Sequence, residues 1–587
     1  LQSKDKIKFS NCDCVVEPGS FDVNKIPVNC PATFSLISSG FTTGVFQLES
    51  RLGMDWAKKV KPVNIEELAA LTALVRPGAL ESGQSDEYID IKFGRKQPSY
   101  LHPALKDILA PTYNSMIYQE QVLAIAKEIA GFSMIEADNL RKAMGKKIPE
   151  LMASLKQKFM DGAASRNVKL EVAEQIFDWI EKSQRYSFNK SHAISYAMLS
   201  YSTAWMKSHF PLEFFTSYLT YSNYKSDTMD EIYRLVQDAR LFGIDVLQPD
   251  IRECNVRFKI VDESMRFGLS NIKGVGESAI AKITENGPKS VATWQGFLGS
   301  IPMLHKNIGV ALIKAGACDC YGKQRSQMIK ELECIFGTQI RDKDGKTKDV
   351  KGLTERERKW FFYKLTDEKT VKQVLEDMIS KKNQMLTRSL SSMNKREVIE
   401  FTKEFTGLTD EDFVDKTKFD IINILKKYNY EENKENKPLS NIKRIQVVEE
   451  KIKELEEESI DTNLGKATAE KYYLGISLSC SPVDDVDDDE IASHTCLDLM
   501  KALNGEHFSV CAVIDNVKNT KTKKGKTPGS AMCFLTISDS TYSIDHAVVF
   551  PDSYEKLSKY CKDGMICFLQ GYKKNGSIII QDIRKLI

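Results

Sequence analysis

Phe188-Asn189-Lys190-Ser191-His192-Ala193-Ile194-Ser195-Tyr196-Ala197 is the stretch on which the fold turns. A turn rich in Asn, Lys, Ser and His opens directly into a long helical pattern. Ile194, Met198, Tyr201 and Trp205 recur at i, i+4, i+7 and i+11, which predicts one buried stripe, and Pro211 stops it. The first turn of a helix presents unpaired backbone N–H groups at the positive end of its dipole, so anions bind there. Lys190 adds a full charge, Ser191 is expected to cap, and His192 supplies a directional donor. That combination could hold a triphosphate against a rigid element. The plainer alternative is a capped helix with surface polar residues.

Working outward, the segment from about 35 to 235 is dense in helical periodicity. Tyr118, Val122, Ile125 and Ile129 share a face ended by Gly131. Ser133 and Glu136 form a capping box, and Gly145 suits the end of that helix. Pro149 fits a first turn, and Val172, Ile176, Trp179 and Ile180 mark a further amphipathic helix. Arg141, Lys142, Lys146 and Lys147 crowd one helix end, where they could clamp phosphate or merely complement the dipole. Arg76-Pro77-Gly78 makes a rigid basic turn, and Arg51 lies in another polar segment beside Gln47 and Ser50.

Beyond 236 the character changes. Lys273-Gly274-Val275-Gly276 reads as a glycine turn leading into a helix through Ile280; without Cβ atoms its backbone could approach phosphate closely. An ordinary tight helix–helix turn would look the same. Residues 340–460 are charged and helical, with heptad spacing at Ile445, Val448, Ile452 and Leu455 for only about two heptads. An acidic run from Asp484 to Glu490 reads as a solvated linker. After it, period-two patterns at His507–Val517, Ala531–Ser538, Ile544–Phe550, Met565–Tyr572 and Ser577–Ile583, with helix-like Tyr554–Cys561 between strands, predict an OB-type barrel. Lys518, Lys521, Lys523, Lys524 and Lys526 fall between its first two strands, where such barrels meet single strands with cations and stacked aromatics; Phe534, Tyr542 and Phe550 are the available rings.

The whole chain limits these readings. At 587 residues it should hold roughly three to five domains. The 83 basic and 81 acidic residues leave +2, so nucleic-acid binding must come from local patches. Thirteen Cys without regular CxxC pairs suit free thiols in a reducing compartment; Cys12/Cys14/Cys30 and Cys318/Cys320/Cys334 lack zinc-module spacing. Histidines are too few and scattered to suggest a metal cluster, and only His192 has a suggestive context. No Asp-x-Asp on a predicted strand offers the paired carboxylates of two-metal phosphoryl transfer. No run reaches transmembrane length and no signal peptide opens the chain, so no membrane partner is expected. A start at Leu1 is expected of a fragment, or of a piece whose partner is encoded elsewhere.

Taken together, TTGVFQLESR (42–51), LVRPGAL (74–80), PTYNSMIYQEQV (111–122), LRKAMGKK (140–147), FNKSHAISYA (188–197) and IKGVGESAI (272–280) resemble, in order, the C-terminal half of the bacterial replicative DNA polymerase III alpha subunit, a family C polymerase. EKYYLGISLS (470–479) is similar to the segment before that family's barrel. The resemblance implies a multidomain, mainly α chain with a C-terminal all-β OB-type barrel. It divides into the end of a palm or connector (1–34), fingers (35–235), a helix-hairpin-helix DNA-binding region (236–330), a charged helical region and linker (331–500), and the OB domain (501–587). LIKAGACD (312–319) would trail the helix-hairpin-helix module.

The resemblance also implies roles. Arg141, Lys142, Lys146, Lys190, Ser191 and His192, with Arg76 and Arg51 as further choices, would bind the incoming dNTP. Lys273, Gly274 and Gly276 would grip DNA, and Lys521, Lys523 and Lys524 single-stranded DNA. The family's catalytic aspartates lie on the palm, before the point matching residue 20, so no catalytic residue is expected here and Mg2+ would be held mainly by that missing portion. Partners would be primer–template DNA, single-stranded DNA, the palm-bearing N-terminal part, the sliding clamp and other replisome subunits, in the bacterial cytoplasm and encoded by cell or phage. No clamp-binding peptide stands out between 320 and 465. The family commonly carries two arginines where this chain has Arg141-Lys142, which removes bidentate phosphate contact at 142. The competing class is a non-catalytic scaffold that holds DNA or a clamp.

Overall fold

The computed structural model describes residue 12 and residues 21–586, except 77–79, 81–82, 147–148, 184–186, 285–290, 301–304, 342–346, 355–356, 359–379, 381–382, 385, 436–443, 446, 449, 454–460, 486–491 and 523–527. It is mainly helical, with a closed β-barrel at the C-terminal end. It separates into two units, residues 1–218 with 234–244, and residues 219–233 with 245–587. Among the described residues no helix is long and apolar enough to cross a membrane.

The first unit is helical among its described residues. Helix α1 (Pro31–Ser39) starts on a first-turn proline and ends at Gly40, whose φ of 76° is the left-handed cap. Helices α2 (Arg51–Val60) and α3 (Ile65–Leu74) are capped by Ser50 and Asn64, whose side chains accept from Gly53 N and Glu67 N. After α4 (Gln84–Lys92) and α5 (Leu105–Leu109) come α6 (Gln119–Ala130), α7 (Met134–Lys146), α8 (Pro149–Ser165) and α9 (Leu170–Ser183). Val122, Ile125, Ile129, Leu140, Phe159, Ile176 and Phe177 form one core among these four, so the 3.6-residue spacing reads correctly. Gly145 does not end α7: the helix runs through it to Lys146.

Helix α10 (Lys190–His209) packs against α1 and α3. Its buried face is Ala193, Ala197, Ser200, Tyr201, Ala204 and Trp205, while Met198 is 38% exposed and Ile194 half-buried. The expected stripe is therefore rotated, because alanines let neighbouring helices approach closely and large side chains are not needed to fill that face. The chain re-enters helices at α11 (Pro211–Thr220) and α12 (Thr228–Leu241).

In the second unit, β1 (Val246–Leu247), β2 (Lys259–Val261) and β3 (Ser264–Arg266) make a small sheet, β1 parallel and β2 antiparallel to β3. Helices α13 (Glu277–Thr284), α14 (Trp294–Ser300), α15 (Lys306–Lys314) and α16 (Arg325–Phe336) follow. Arg325 is buried and bonds Asp319, Glu470 at 2.6 Å and the carbonyl of Lys314, tying 319–325 to the EKYYLGISLS segment. A hairpin of β4 (Gly337–Arg341) and β5 (Thr347–Lys351) interrupts the region expected to be helical. Helices α17 (Lys395–Thr406) and α18 (Lys418–Glu435) share a small core of Val398, Ile421, Ile422 and Leu425. Of the expected heptad positions, Ile445 and Val448 are buried and Leu455 lies outside the described residues.

After α19 (Asn463–Leu474) and α20 (Cys496–Lys501), strands β6 (His507–Lys521), β7 (Ala531–Ser538), β8 (Ser543–Val549), β9 (Met565–Lys574) and β10 (Ser577–Lys585) close in the order β10-β8-β7-β6-β9. β8 and β10 pair in parallel, and the other neighbours are antiparallel. Helix α21 (Pro551–Leu557) sits before β9, a few residues earlier than its expected place. Val510, Ile514, Leu535, Ile537, Ala547, Leu569 and Ile580 fill the interior, alternating with outward residues as a closed sheet requires. Closure leaves no free edge.

Candidate functional site

The N-terminal ends of α6 and α10 meet. Phe188 N donates to Ile117 O at 2.8 Å and Gln119 N to Phe188 O at 2.9 Å, a two-bond clip between the segments that precede the helices. Two consequences follow for the Phe188–Ala197 stretch. Capping belongs to Asn189, whose side-chain oxygen accepts from His192 N at 2.8 Å, and not to Ser191, which is exposed. Glu120, in the first turn of α6, accepts from Lys190 N at 2.9 Å and from Asn189 Nδ2 at 2.9 Å. The backbone N–H groups of Lys190 and His192 are thus already engaged, and attraction for an anion here rests on side-chain cations.

Those cations gather. The Arg76 guanidinium lies 3.6 Å from the centre of the Phe188 ring, and burial lowers its pKa from the usual arginine range. The Phe188 ring meets His192 edge-on at 5.3 Å, and His192 packs on Tyr196 at 4.0 Å. Lys190 Nζ stands 5.9 Å from the Tyr118 ring. Arg141 Nη1 donates to Gln119 Oε1 at 3.3 Å, which brings the end of α7 to the same corner. Its other face pairs with Asp138 at 2.9 Å, and Lys142 pairs with Asp138 at 2.7 Å. Hydrogen bonds from Lys142 and Arg141 hold the Asp138 carboxyl below its ordinary range. A guanidinium has five donors, so Arg141 keeps some for a ligand. Buried Tyr118, whose pKa burial raises, has a hydroxyl without a hydrogen-bond partner among the described residues.

Not every expected residue joins this corner. Arg51 is the exposed first residue of α2. Lys146 ends α7, but its side chain, like Lys147, Pro77 and Gly78, lies outside what the structure describes. Glu120, Asn189, Gln119, Phe188 and Asp138 were not among the expected site residues. A first-turn glutamate such as Glu120 reads as support for its own helix dipole, so only the pairing of α6 with α10 reveals its other partner.

In the second unit, Gly274 adopts a φ of 84°, and a Cβ at Gly274 or Gly276 would meet nothing within 4 Å. The turn is therefore open on that side, and α13 begins immediately after it. Lys273 N donates to Tyr473 O at 2.8 Å, and its ammonium sits 4.0 Å over the ring of Tyr472, which is 58% exposed. Tyr472 is an addition the sequence offered only through the EKYYLGISLS segment.

On the barrel, Lys518 and Lys521 are exposed residues of β6 itself, which runs past the expected end of the strand. Lys518 lies opposite Phe534, whose ring is 5.5 Å from that of His546. Tyr542 packs against the barrel core, while Phe550 is 42% exposed. Lys523, Lys524 and Lys526 lie outside the described residues.

Residues 10–167 match the family model described as the bacterial DNA polymerase III alpha subunit finger domain, and residues 243–328 match a helix-hairpin-helix motif. The finger match ends before Phe188. DNA polymerase III subunit alpha of Aquifex aeolicus is 40% identical over 328 residues, 54% of this chain and 28% of that protein. That of Thermus aquaticus is 41% identical over 327 residues, 54% of this chain and 26% of its own length. That of Escherichia coli strain K12 is 38% identical over 321 residues, 53% and 27% respectively. The matched stretch thus spans little more than a quarter of each relative. The resemblance carried by the six motifs is thereby shown: in its finger and helix-hairpin-helix parts this chain is similar to the bacterial DNA polymerase III alpha subunit.

Proposed function

We propose that this chain supplies the fingers, helix-hairpin-helix and barrel portions of a replicative DNA-directed DNA polymerase. The observation that carries the proposal is the convergence of Arg76, Arg141 and Lys190 on the clip between α6 and α10. Four cations with Lys142 face two carboxylates, Glu120 and Asp138, so the corner favours an anionic ligand such as the triphosphate of an incoming dNTP. His192 would orient that ligand and Arg76, stacked on Phe188, would hold its position. The open glycine turn with Lys273 would meet duplex backbone, and the barrel, through the face with Lys518 and Phe534 and through Lys521 at the end of β6, would meet single-stranded DNA.

The reaction would be attack of a primer 3′-hydroxyl on the α-phosphate, releasing pyrophosphate. Mg2+ would neutralise charge developing on the phosphates. Among the described residues the one gathered set of three metal-ligating side chains is Cys12, Cys30 and His209, which does not suit a hard, oxygen-seeking ion. The residues for Mg2+ would come from a palm-bearing portion; that portion, the sliding clamp and other replisome subunits are the proposed partners.

In a polymerase reconstituted from this chain and a palm-bearing portion, Lys190→Ala and Arg141→Ala should each lower nucleotide efficiency roughly ten- to a hundredfold, the loss of one charge-assisted contact. Affinity for primer–template DNA should hold within about twofold, since those contacts would lie elsewhere. Steady-state kinetics against nucleotide and a DNA titration separate the two. Equal losses in both would assign these residues to DNA.

A further inference from the structure

Cys12, Cys30 and His209 come from three distant places in the first unit, yet their ligand atoms all lie within 4.8 Å of one another. Cys30 Sγ is 3.2 Å and Cys12 Sγ 3.8 Å from His209 Nε2. A tetrahedral zinc ion with bonds of about 2.3 Å to sulfur and about 2.0 Å to nitrogen puts S and N about 3.5 Å apart. The two separations straddle that edge, so an ion fits with shifts of a few tenths of an ångström.

Two of the positions are anchored. Cys30 is 1% exposed and is the N-cap residue of α1; its N–H donates to Tyr201 Oη at 2.8 Å, and that hydroxyl donates to Pro27 O at 2.7 Å. His209 is the last residue of α10, its ring packed on Trp205 at 4.5 Å. Phe21 stacks on the same indole at 6.0 Å, so the segment leading to Cys30 lies along α10. Two thiolates and one imidazole are soft to borderline donors, which select zinc over magnesium or calcium.

We propose that Cys12, Cys30 and His209 form a structural zinc site, with the fourth position open to water or another donor. It would staple the segment before α1 to the end of α10, closing a loop of sequence separation 197. Nothing in the polymerase reading requires it.

The test uses the full chain, purified without a histidine tag under a non-sulfur reductant, with zinc content measured by plasma mass spectrometry. About one zinc per chain is expected, and cobalt substitution should give the thiolate charge-transfer band and intense visible bands of a tetrahedral site. Cys30→Ser and His209→Gln should each drop the zinc content below about one fifth of an equivalent, whereas Cys254→Ser, in the other unit, should keep it. The cobalt spectrum of the unsubstituted chain decides the matter even where a variant misfolds. Absence of zinc together with absence of those bands overturns the proposal. So does zinc retained in both ligand variants, or a Cys12–Cys30 disulfide in peptides from reduced protein.

Discussion

Lys207 shows how far a single residue can stand from its expected role. A lysine in the last turn of a helix reads as a solvated charge that complements the dipole. Here its side chain is fully buried. The ammonium donates to Phe41 O at 2.9 Å, to Thr43 O at 2.7 Å and to Asp238, with the rings of Phe215 and Phe242 at 5.2 and 5.3 Å. Burial pushes the Lys207 pKa down and the Asp238 pKa up, and each charge opposes the shift of the other. Its saturated donors pin the backbone on which TTGVFQLESR begins. Lys207→Met should strip α10 of about 3–5 kcal/mol of hydrogen-exchange protection, because Asp238 is left buried and unpaired. Lys207→Met with Asp238→Leu should recover most of it. Protection of α10 peptides unchanged by the single substitution would show that the pair does not hold this part of the fold. The sequence could not reveal the pair, since neither residue departs locally from an ordinary helical surface position.

At the scale of elements, periodicity and punctuation located α6 to α10 and all five barrel strands, and missed details within them. Gly145 lies inside α7, and the buried face of α10 runs through alanines instead of Ile194 and Met198. Packing between helices decided the face of α10, and local signals carry no information about it. Gly162 is a measurable case. A Cβ there would lie 2.0 Å from Ala130 O and 2.9 Å from the carbonyl carbon, so α8 crosses the end of α6 backbone to side-chain-free backbone. Gly→Ala within a helix is intrinsically favourable by about 1 kcal/mol. Relieving a contact that short needs a shift of more than about 1 Å between two helices that share a core, and overpacking of that kind costs about 1–3 kcal/mol. The clash should win, so Gly162→Ala should lower the thermal midpoint of the helical unit. A raised midpoint in Gly162→Ala would mean that the helices part easily at this crossing.

For the whole molecule, the likeness was legible because six short motifs keep their order, whereas the sites depended on neighbours far apart in sequence. Glu120 reaches Lys190, Lys273 lies over Tyr472, and His209 joins Cys12. With a net charge of only +2, the proposed DNA affinity would have to come from such local groups, and each should carry its own salt dependence. Lys518 is exposed on the barrel face that also presents Phe534, Lys521 is exposed on the other side of β6 at its end, and Lys273 is exposed at the open glycine turn. If the barrel meets single strands and the turn meets duplex, the two salt slopes must respond separately. A single strand returns about −0.7 per phosphate contact in log affinity against log salt, and a duplex about −0.9. Lys518→Ala with Lys521→Ala should therefore flatten the single-strand slope of the full chain by about 1.4, for every sequence alike, and leave the duplex slope in place. Lys273→Ala should flatten the duplex slope by about 0.9 and spare the single strand. Fluorescence anisotropy on labelled oligonucleotides at several salt concentrations reads both. A barrel substitution that moves the duplex slope as much as the single-strand slope would mean one shared DNA surface, and slopes unmoved by either would leave these lysines to the solvent.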